Sequence, residues 1–401
     1  MTKVRSSAIV VVLGVIVLVV VLFQLFGPIA SPTLSSTQPV SADIGGSSLN
    51  LPWPSHGEAI VEVPGVGTMG GVHINRQVPI ASVTKIMTAY IILKDHPLTS
   101  NSPSGPNLTV TPQDVALYNA DVATQQSVLK VAAGETLTER QALEGLLIPS
   151  ANNIAVLLAR WDAGSRKAFV AKMNSMAKSL GLTHTFYADV SGLNHLTTSS
   201  VADQTKLATL AMKIHAFASI VSKPQITLPV AGLIYNYDYA LGKDGIIGIK
   251  TGSTGHAGGC FVFDSKRRIG GKPVYIIGAV FSQGGVTPLQ AALNKSEALV
   301  SSAASQMHRI NSITTGSKQG QINVPWSHPV PVVANSSTSF ITWPGLVVKR
   351  TLIANKNLSH VSNNQKVGTL KITAGEQVKT VSLVANGSVG SPSLSWRLLN
   401  I

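Results

Sequence analysis

Charged side chains, above all acidic ones, are scarce in this chain, and cysteine occurs only once. Asp and Glu number 17 against 31 Lys and Arg, so 12% of the 401 residues are charged and the formal net charge is +14. The single cysteine, Cys260, excludes an intramolecular disulfide, and its apolar neighbours indicate a small buried side chain rather than a reactive thiol. The chain also lacks an H-E-x-x-H motif and any Cys/His spacing typical of zinc. We therefore expect no metal centre and no cofactor.

One apolar run is just long enough to cross a bilayer as a helix. It spans residues 8–26 and is interrupted by only one glycine and one glutamine. Lys3 and Arg5 precede it with no acid nearby, which places residues 1–7 in the cytoplasm and exports the rest of the chain. A cleaved signal peptide is the alternative, because Ala30 could precede a cleavage site, although such peptides usually have a shorter apolar core. We favour an uncleaved, single-pass membrane anchor.

Beyond this run the composition changes. Residues 27–52 are rich in Ser, Pro and Thr without periodicity, which predicts a flexible linker. Residues 53–308 carry strand patterns near both ends, such as 58–63 and 273–281, with mostly helical patterns between them. Within that region, 108–131 is mixed and shows only a short strand-like run. This order predicts an α+β domain, with an antiparallel sheet flanked by helices and interrupted by a helical insertion.

The last region, residues 309–401, predicts a small all-β domain, because strand-length runs are separated there by Gly, Asn and Ser. From Ile310 onward it has eight Lys and Arg against one acid, Glu376, which gives a net charge of +7. Outside the cytoplasm, anionic wall polymers or lipid headgroups are the partners that such a surface attracts, and nucleic acid is not expected. A domain that merely lacks acids and binds neither is the alternative.

Residues 79–90 place a serine and a lysine at the start of an apolar run that predicts a buried helix beginning at Ser82. Residues three apart share a helix face, so the amine of Lys85 should lie beside the Ser82 hydroxyl. A desolvated lysine amine has a lowered pKa and can be the base that activates a serine nucleophile. The same S-x-x-K spacing recurs at 127–130 and 175–178, and a helix cap with a solvated lysine is the alternative. Apolar neighbours around most of the helix favour the catalytic interpretation.

Two further polar motifs follow. Ser150 and Asn152, separated by one alanine, lie between two apolar helical stretches, where they either project into a cleft or cap the helices. The tripeptide Lys250-Thr251-Gly252 is the only K-T-G in the chain and lies in a strand-like run. Each motif alone is too short to identify a site.

Taken in order, the three motifs resemble those of the serine penicillin-binding proteins, and most of all the low-molecular-mass D-alanyl-D-alanine carboxypeptidases. The resemblance covers residues 58–305 and, more loosely, the β-rich tail. The supporting stretches are residues 133–138, 147–152, 169, 173–174, 180–182, 191–193 and 248–252. Asn153 stands where the family commonly has an acid, and residues 187–189 lack its common Asn-Pro. The resemblance implies the β-lactamase/transpeptidase-like fold.

The resemblance also implies a serine-type carboxypeptidase that removes the terminal D-alanine from peptidoglycan stem peptides through an acyl-serine intermediate. Ser82 would attack the D-Ala-D-Ala carbonyl, with Lys85 as general base. Ser150 would relay a proton to the departing D-alanine, and Asn152 would orient Lys85 and the substrate amide. Penicillin and other β-lactams would acylate Ser82 and act as covalent inhibitors.

Substrate binding is assigned by the resemblance to the K-T-G strand. Lys250 and Thr251 would hold the terminal carboxylate of the peptide, and Gly252 and Ser253 would complete this binding stretch. The backbone N–H groups of the nucleophile and of Ser253 would form the oxyanion hole. His256 follows the strand closely, and we expect it to shape the rim of the cleft, with an acid–base role as the alternative.

Two other functions share parts of this pattern. A class A β-lactamase needs a glutamate that activates the deacylating water, and the chain has none between Ser150 and Lys250. A catalytically silent, membrane-tethered wall-binding protein is the non-enzymatic alternative, although none of the motif positions has been lost.

Overall fold

The computed structural model describes residues 2–39, 41–43 and 48–399. The chain divides into two compact units, one made of Ser48–Met307 and the other of Met1–Ser47 together with His308–Ile401. From the sequence we placed the boundary between the last two regions after residue 308, and the division falls after Met307.

The described residues form helices, two larger sheets and several pairs of short strands. The helices are α1 (Thr2–Phe26), α2 (Lys85–Asp95), α3 (Pro112–Ala123), α4 (Glu139–Leu147), α5 (Asn152–Ala163), α6 (Arg166–Ser179), α7 (Val201–Ala211), α8 (His215–Val221), α9 (Pro288–Gln306) and α10 (Leu394–Leu399), with 3₁₀ turns at Ala81–Thr84 and Lys243–Gly245. The strands are β1 (Thr33–Ser36), β2 (Ser41–Asp43), β3 (Glu58–Val63), β4 (Gly67–Val72), β5 (Val78–Pro79), β6 (Asn107–Thr109), β7 (Thr136–Thr138), β8 (Thr198–Ser199), β9 (Gln225–Leu228), β10 (Gly232–Tyr235), β11 (Ile246–Thr254), β12 (Gly258–Ile269), β13 (Lys272–Gln283), β14 (His308–Ile313), β15 (Lys318–Asn323), β16 (Val330–Ala334), β17 (Thr338–Thr342), β18 (Val347–Ala354), β19 (Lys366–Ala374) and β20 (Gln377–Ala385).

A five-stranded antiparallel sheet, in the order β11-β12-β13-β3-β4, organises the unit Ser48–Met307. Consecutive residues of β12 from Gly259 to Ser265 are buried, so both faces of this strand are covered. Helix α9 packs against β12 and β13, and α7 packs against β13 and β3. Cys260 on β12 is fully buried, and burial raises the pKa of its thiol to about 12, so the expectation of an inert side chain is confirmed. The predicted α+β class is confirmed as well.

Helix α2 lies at the centre of the helical region between β4 and β11. Every residue from Lys85 to Leu93 is buried, because α4, α5, α6, α7 and α8 all pack around it. A helix that is apolar on all sides is stable only in such surroundings. The first residues of α2 are thereby fixed in the interior, next to the sheet strand β11, which contacts the preceding 3₁₀ turn.

The second unit contains a seven-stranded sheet in the order β1-β15-β16-β20-β19-β18-β2, and its neighbouring strands are antiparallel. Strands β14 and β17 form a separate pair. The inward side chains alternate along the strands and make one apolar core that includes Val332, Phe340, Ile372 and Leu383. This agrees with the β-rich region expected after residue 308.

Parts of the predicted flexible linker, residues 27–52, have regular structure. Strand β1 pairs with β15, with Leu34 opposite Ile322, and β2 pairs with β18. Edge strands carry unpaired N–H and C=O groups that a polar extended segment can satisfy, and Leu34 adds apolar contact with the core. Leu51 is buried in the other unit. The structure therefore differs from the linker prediction in these segments, and residues 40 and 44–47 of the predicted linker lie outside the described residues.

Helix α1 contains the apolar run recognised in the sequence. Its segment Ala8–Phe26 has a mean hydropathy of 3.3, and none of it is buried in the structure. By length and composition this helix is able to cross a membrane, which is consistent with the predicted anchor.

Candidate active site

Ser82 and Lys85 lie on a tight turn that leads into the buried helix α2. The 3₁₀ turn spans Ala81–Thr84 and α2 begins at Lys85, so Ser82 precedes the α-helix rather than starting it as predicted. Side chains three apart eclipse one another in a 3₁₀ turn. Accordingly, Lys85 Nζ lies 2.7 Å from Ser82 Oγ.

The amine of Lys85 has two further partners, both acceptors. It donates to Asn152 Oδ1 at 2.7 Å and to the backbone oxygen of Ser191 at 3.0 Å. A neutral amine has two N–H groups and one lone pair. Because the two acceptors take both N–H groups, the lone pair is left facing the Ser82 hydroxyl, where it can accept a proton.

The electrostatic surroundings favour this neutral form. Lys85 is completely buried, and burial, together with the nearby charge of Lys250, lowers its pKa well below the ordinary value. The carboxylates of Asp189 and Asp121 act in the opposite direction but more weakly. A lysine of this kind is suited to act as a general base.

Burial also separates this S-x-x-K from the other two matches in the chain. Lys130 and Lys178 are both exposed, whereas Lys85 is not. Their amines are in contact with water and are not desolvated beside a serine. The structure thus removes an ambiguity that spacing alone left open.

The Ser150 and Asn152 motif lies where α4 ends and α5 begins. Asn152 is the first residue of α5 and also donates through Nδ2 to Gln126 Oε1 at 2.8 Å, which fixes the amide orientation toward Lys85. Ser150 is buried with a left-handed φ of 62°, and its Oγ has no hydrogen-bond partner among the described residues. A strained residue with a free buried hydroxyl is typical of a site that awaits a ligand.

A short loop holds the Ser191 carbonyl against Lys85. The Asp189 carboxylate accepts hydrogen bonds from the backbone N–H groups of Ser191, Gly192 and Leu193, and from the hydroxyls of Ser191 and Thr197. From the sequence, Ser191 was part of a supporting stretch only, and neither it nor Asp189 was predicted to belong to the site. An aspartate two residues before a Ser-Gly pair is a turn signal that could have suggested the loop.

The K-T-G strand β11 lies directly against the nucleophile turn. A Cβ on Gly252 would be 2.8 Å from the backbone nitrogen of Ser82, so only glycine allows this approach. Lys250 is buried and donates to the backbone oxygen of Thr251 at 2.9 Å. Burial lowers the pKa of Lys250 to about 7, although Asp238 opposes the shift. Ser253, the next residue along β11, is exposed.

The predicted site residues are therefore brought together to different degrees. Ser82, Lys85 and Asn152 are joined by hydrogen bonds, and Gly252 packs against the Ser82 backbone. His256 makes no hydrogen bond within the described residues and stacks on His195, with ring centroids 4.6 Å apart. Among the described residues, no group of three or more His, Cys, Asp or Glu side chains is arranged to hold a metal ion. This arrangement can activate the hydroxyl of Ser82, with Lys85 and Lys250 as the two buried lysines of the site.

The chain is similar to known proteins described as D-alanyl-D-alanine carboxypeptidases. A family model described as D-alanyl-D-alanine carboxypeptidase matches residues 69–280, more than half of the chain. The chain is 31% identical over 271 residues to a D-alanyl-D-alanine carboxypeptidase of Streptomyces sp. strain K15, covering 63% of this chain and 85% of the relative. It is 25% identical to the D-alanyl-D-alanine carboxypeptidase DacD of Escherichia coli strain K12, covering 82% and 85%.

The chain is also similar to two solved structures. The crystal structure of the Streptomyces K15 DD-transpeptidase is similar with a TM-score of 0.55 and 27% identity, covering 63% of this chain and 98% of that one. Penicillin-binding protein 5 of Haemophilus influenzae has a TM-score of 0.60 over 85% of this chain and 99% of its own, and its 19% identity indicates a shared fold alone.

Proposed function

Because the chain belongs to the D-alanyl-D-alanine carboxypeptidase family of serine peptidases, we propose that it removes the terminal D-alanine from peptidoglycan stem peptides. The observation that carries the proposal is the contact of 2.7 Å between Ser82 Oγ and the buried amine of Lys85. In this amine both N–H groups have acceptors, so the lone pair is available to the serine hydroxyl.

Acylation follows from this geometry. As Lys85 takes the hydroxyl proton, Ser82 Oγ forms a bond to the carbonyl carbon of the penultimate D-alanine. The backbone N–H groups of Ser82 and Ser253 stabilise the resulting oxyanion, and one such donor contributes about 10²–10³ in rate. The C–N bond then breaks, and the hydroxyl of Ser150 passes its proton to the nitrogen of the departing D-alanine while it takes up the proton held by Lys85, so that both side chains return to their starting state.

Recognition of a free carboxyl terminus is the role we assign to Lys250 and Thr251. A protonated Lys250 pairs with the terminal carboxylate of the peptide, and the Thr251 hydroxyl donates a hydrogen bond to it. Burial strengthens this pairing because water competes poorly in the site.

Water completes the cycle by hydrolysing the ester on Ser82, which releases the shortened peptide and restores the hydroxyl. A β-lactam acylates the same oxygen. A class A β-lactamase would hydrolyse that adduct with the help of a glutamate, and none lies between Ser150 and Lys250. We therefore expect β-lactams to act as long-lived covalent inhibitors.

We further propose that α1 anchors the enzyme in the cell membrane with residues 53–308 outside the cytoplasm. The apolar segment Ala8–Phe26 and the preceding Lys3 and Arg5 support this orientation.

The β-rich unit is proposed to contact anionic groups, such as the phosphates of wall polymers or lipid headgroups. Lys349 and Lys371 are exposed on one face of the sheet, since Lys371 pairs with Thr351, two residues beyond Lys349. Glu376 is the only acid after residue 310. Loss of sedimentation with anionic vesicles or wall polymer in a Lys349→Gln, Lys371→Gln double variant tests this contact.

The activity itself is tested with an N-acylated stem pentapeptide and mass spectrometry. The expected result is loss of one alanine in the presence of the full chain in detergent and no loss with the Ser82→Ala variant. A wild-type protein that forms no acyl-serine with penicillin and releases no alanine contradicts the proposal.

A further inference from the structure

Three exposed tyrosines follow one another at the end of β10 and in the segment just beyond it. Tyr235, Tyr237 and Tyr239 are 58%, 37% and 57% exposed. The residues between them, Asn236 and Asp238, are half-buried and buried, so burial alternates with a period of two. This is the period of an extended backbone, in which alternate side chains share one side. The three rings therefore form one exposed row, which we call the tyrosine stripe.

The backbone of this segment is held from its inward side. The side-chain amide of Asn236 donates to the carbonyl oxygen of Lys223 at 3.0 Å, and its backbone N–H donates to that of Pro224 at 2.8 Å. The side-chain oxygen of Asn236 accepts from the Asp238 N–H at 2.9 Å, and the Asp238 carboxylate accepts from the Ala240 N–H at 3.1 Å. Because these bonds fix the backbone, binding on the tyrosine stripe requires little ordering of the protein.

The tyrosine stripe lies beside the elements that carry the site. The backbone N–H of Tyr237 donates to the carbonyl oxygen of Ile148 at 3.4 Å, two residues before Ser150. Tyr239 lines a cavity of about 290 Å³ together with Ser253, whose N–H we assign to the oxyanion hole. The stripe is therefore continuous with the cleft to which the proposed function assigns the stem peptide.

The chemistry of the tyrosine stripe fits an uncharged sugar. Between Ala231 and Gly242 the only charged side chain is Asp238, which is buried. In the described part of the chain the three tyrosine hydroxyls take part in no hydrogen bond, so each ring offers an apolar face with a polar group at its tip. An anionic ligand would need a cation here, and membrane-binding surfaces are typically rich in Lys and Arg. A sugar ring matches the stripe, because its C–H groups form an apolar face that hydroxyl and N-acetyl groups surround.

We propose that the tyrosine stripe binds the glycan strands of peptidoglycan by stacking on their sugar rings. The choice of ligand rests on the proposed function, because the stem peptides that enter the cleft are attached to such strands. The spacing suits a polymer, since Tyr235 and Tyr239 are up to about 13 Å apart along an extended backbone and can contact neighbouring sugars of one strand. A bound strand then holds the enzyme beside successive stem peptides.

The probe is chitotetraose, the tetramer of N-acetylglucosamine, titrated calorimetrically into the full chain in a detergent that has no sugar headgroup. We expect the wild type to bind it, Tyr237→Ser to raise the Kd about threefold to tenfold, and the triple variant Tyr235→Ser, Tyr237→Ser, Tyr239→Ser to show no measurable binding. Because these side chains are exposed, the variants should fold, and their melting temperatures check this. Tyr275→Ser on β13, 42% exposed and outside the stripe, is the matched control and should keep the wild-type Kd.

The Ser82→Ala variant separates this surface from catalysis, and it should bind chitotetraose with the wild-type Kd. Binding that the triple variant abolishes supports the tyrosine stripe even if the wild type releases no D-alanine, in which case the proposed activity alone has failed. Failure of the wild type to bind chitotetraose overturns the proposal, as does an equal Kd in the wild type and the triple variant. Self-association of the wild type that the triple variant abolishes, without chitotetraose binding, would assign the stripe to a second copy of the chain.

Discussion

A Cβ atom on Gly192 would lie 1.8 Å from the carbonyl oxygen of Ala81, the residue before the nucleophile. Gly192 also has a left-handed φ of 81°. The loop that carries the Ser191 carbonyl and the turn that carries Ser82 are therefore in backbone contact. The loop that holds the acceptor of Lys85 and the turn that carries Ser82 therefore support each other. A change in this loop or in this turn is expected to displace the other.

Replacing Gly192 with alanine should for this reason impair both stability and acylation. We expect the free energy of unfolding to fall by about 2–4 kcal/mol, because a steric clash adds to the cost of the left-handed backbone. Gly134→Ala is the matched control, with a φ of 83° and no atom within 4 Å of the added Cβ. It should cost about 1 kcal/mol. Chemical denaturation and penicillin labelling measure the two effects, and equal losses in both variants contradict the contact argument.

Removal of the proposed base should abolish most of the chemistry. Lys85→Met keeps the length of the side chain but removes the proton acceptor, so the rate of acylation by penicillin should fall by about 10²–10⁴. Lys178→Met, at an exposed S-x-x-K match, should leave the rate unchanged. Stopped-flow or gel-based labelling gives both rates. A Lys85→Met rate within threefold of the wild type would exclude Lys85 as the base.

The pH profile should reveal the charge of Lys250. With a pKa of about 7 this amine is protonated below that pH and neutral above it, so kcat/KM for an N-acylated D-Ala-D-Ala peptide should fall as pH rises through 7. The Lys250→Arg variant carries a positive charge at this position at all accessible pH values. In this variant the fall in kcat/KM near pH 7 should disappear. The rising limb of the same profile, which we assign to loss of a proton from Lys85, should remain. Persistence of the same falling limb in the arginine variant would assign it to another group.

Asp189 should act as a positioning residue. Asp189→Asn removes acceptor capacity from the loop bonds, and the loss of one bond to a charged group costs about 1.5–3 kcal/mol. We expect acylation to slow about tenfold or more as the Ser191 carbonyl moves away from Lys85, with the rising limb of the pH profile displaced. Asp244→Asn, which breaks a partly exposed pair with Arg267, is the control and should change neither quantity. A variant that only melts at lower temperature, with its pH profile intact, would indicate a purely structural role.

The parts of the site that depend on local spacing could be predicted from the sequence. Ser82 and Lys85 are one helical turn apart, and the apolar neighbours of Lys85 indicated its burial. The contact with the Ser191 carbonyl could not be predicted in this way, because it joins segments more than a hundred residues apart through the closure of a loop. The 3₁₀ geometry of the nucleophile turn was also missed, and so was its close contact with Gly252, which lies far along the chain.

Helix α3 was not predicted, and with it Asp121 was overlooked. A signal was present: Thr111 and Asp114 form a capping box, and Pro112 occupies the first helical position, where proline is favoured. The weak apolar periodicity of 112–123 concealed it. Strand β1 escaped notice for a different reason, since its four residues gain stability only from pairing with β15.

The pairing of β1 also restricts where the β-rich unit can be. Only six residues separate Phe26, at the end of α1, from Thr33, at the start of β1, and so short a segment reaches about 25 Å at full extension. If α1 is embedded in a bilayer, as we propose, the seven-stranded sheet would lie within that distance of the membrane surface. The proposed contact of its lysines with phosphate groups would then take place at the membrane surface.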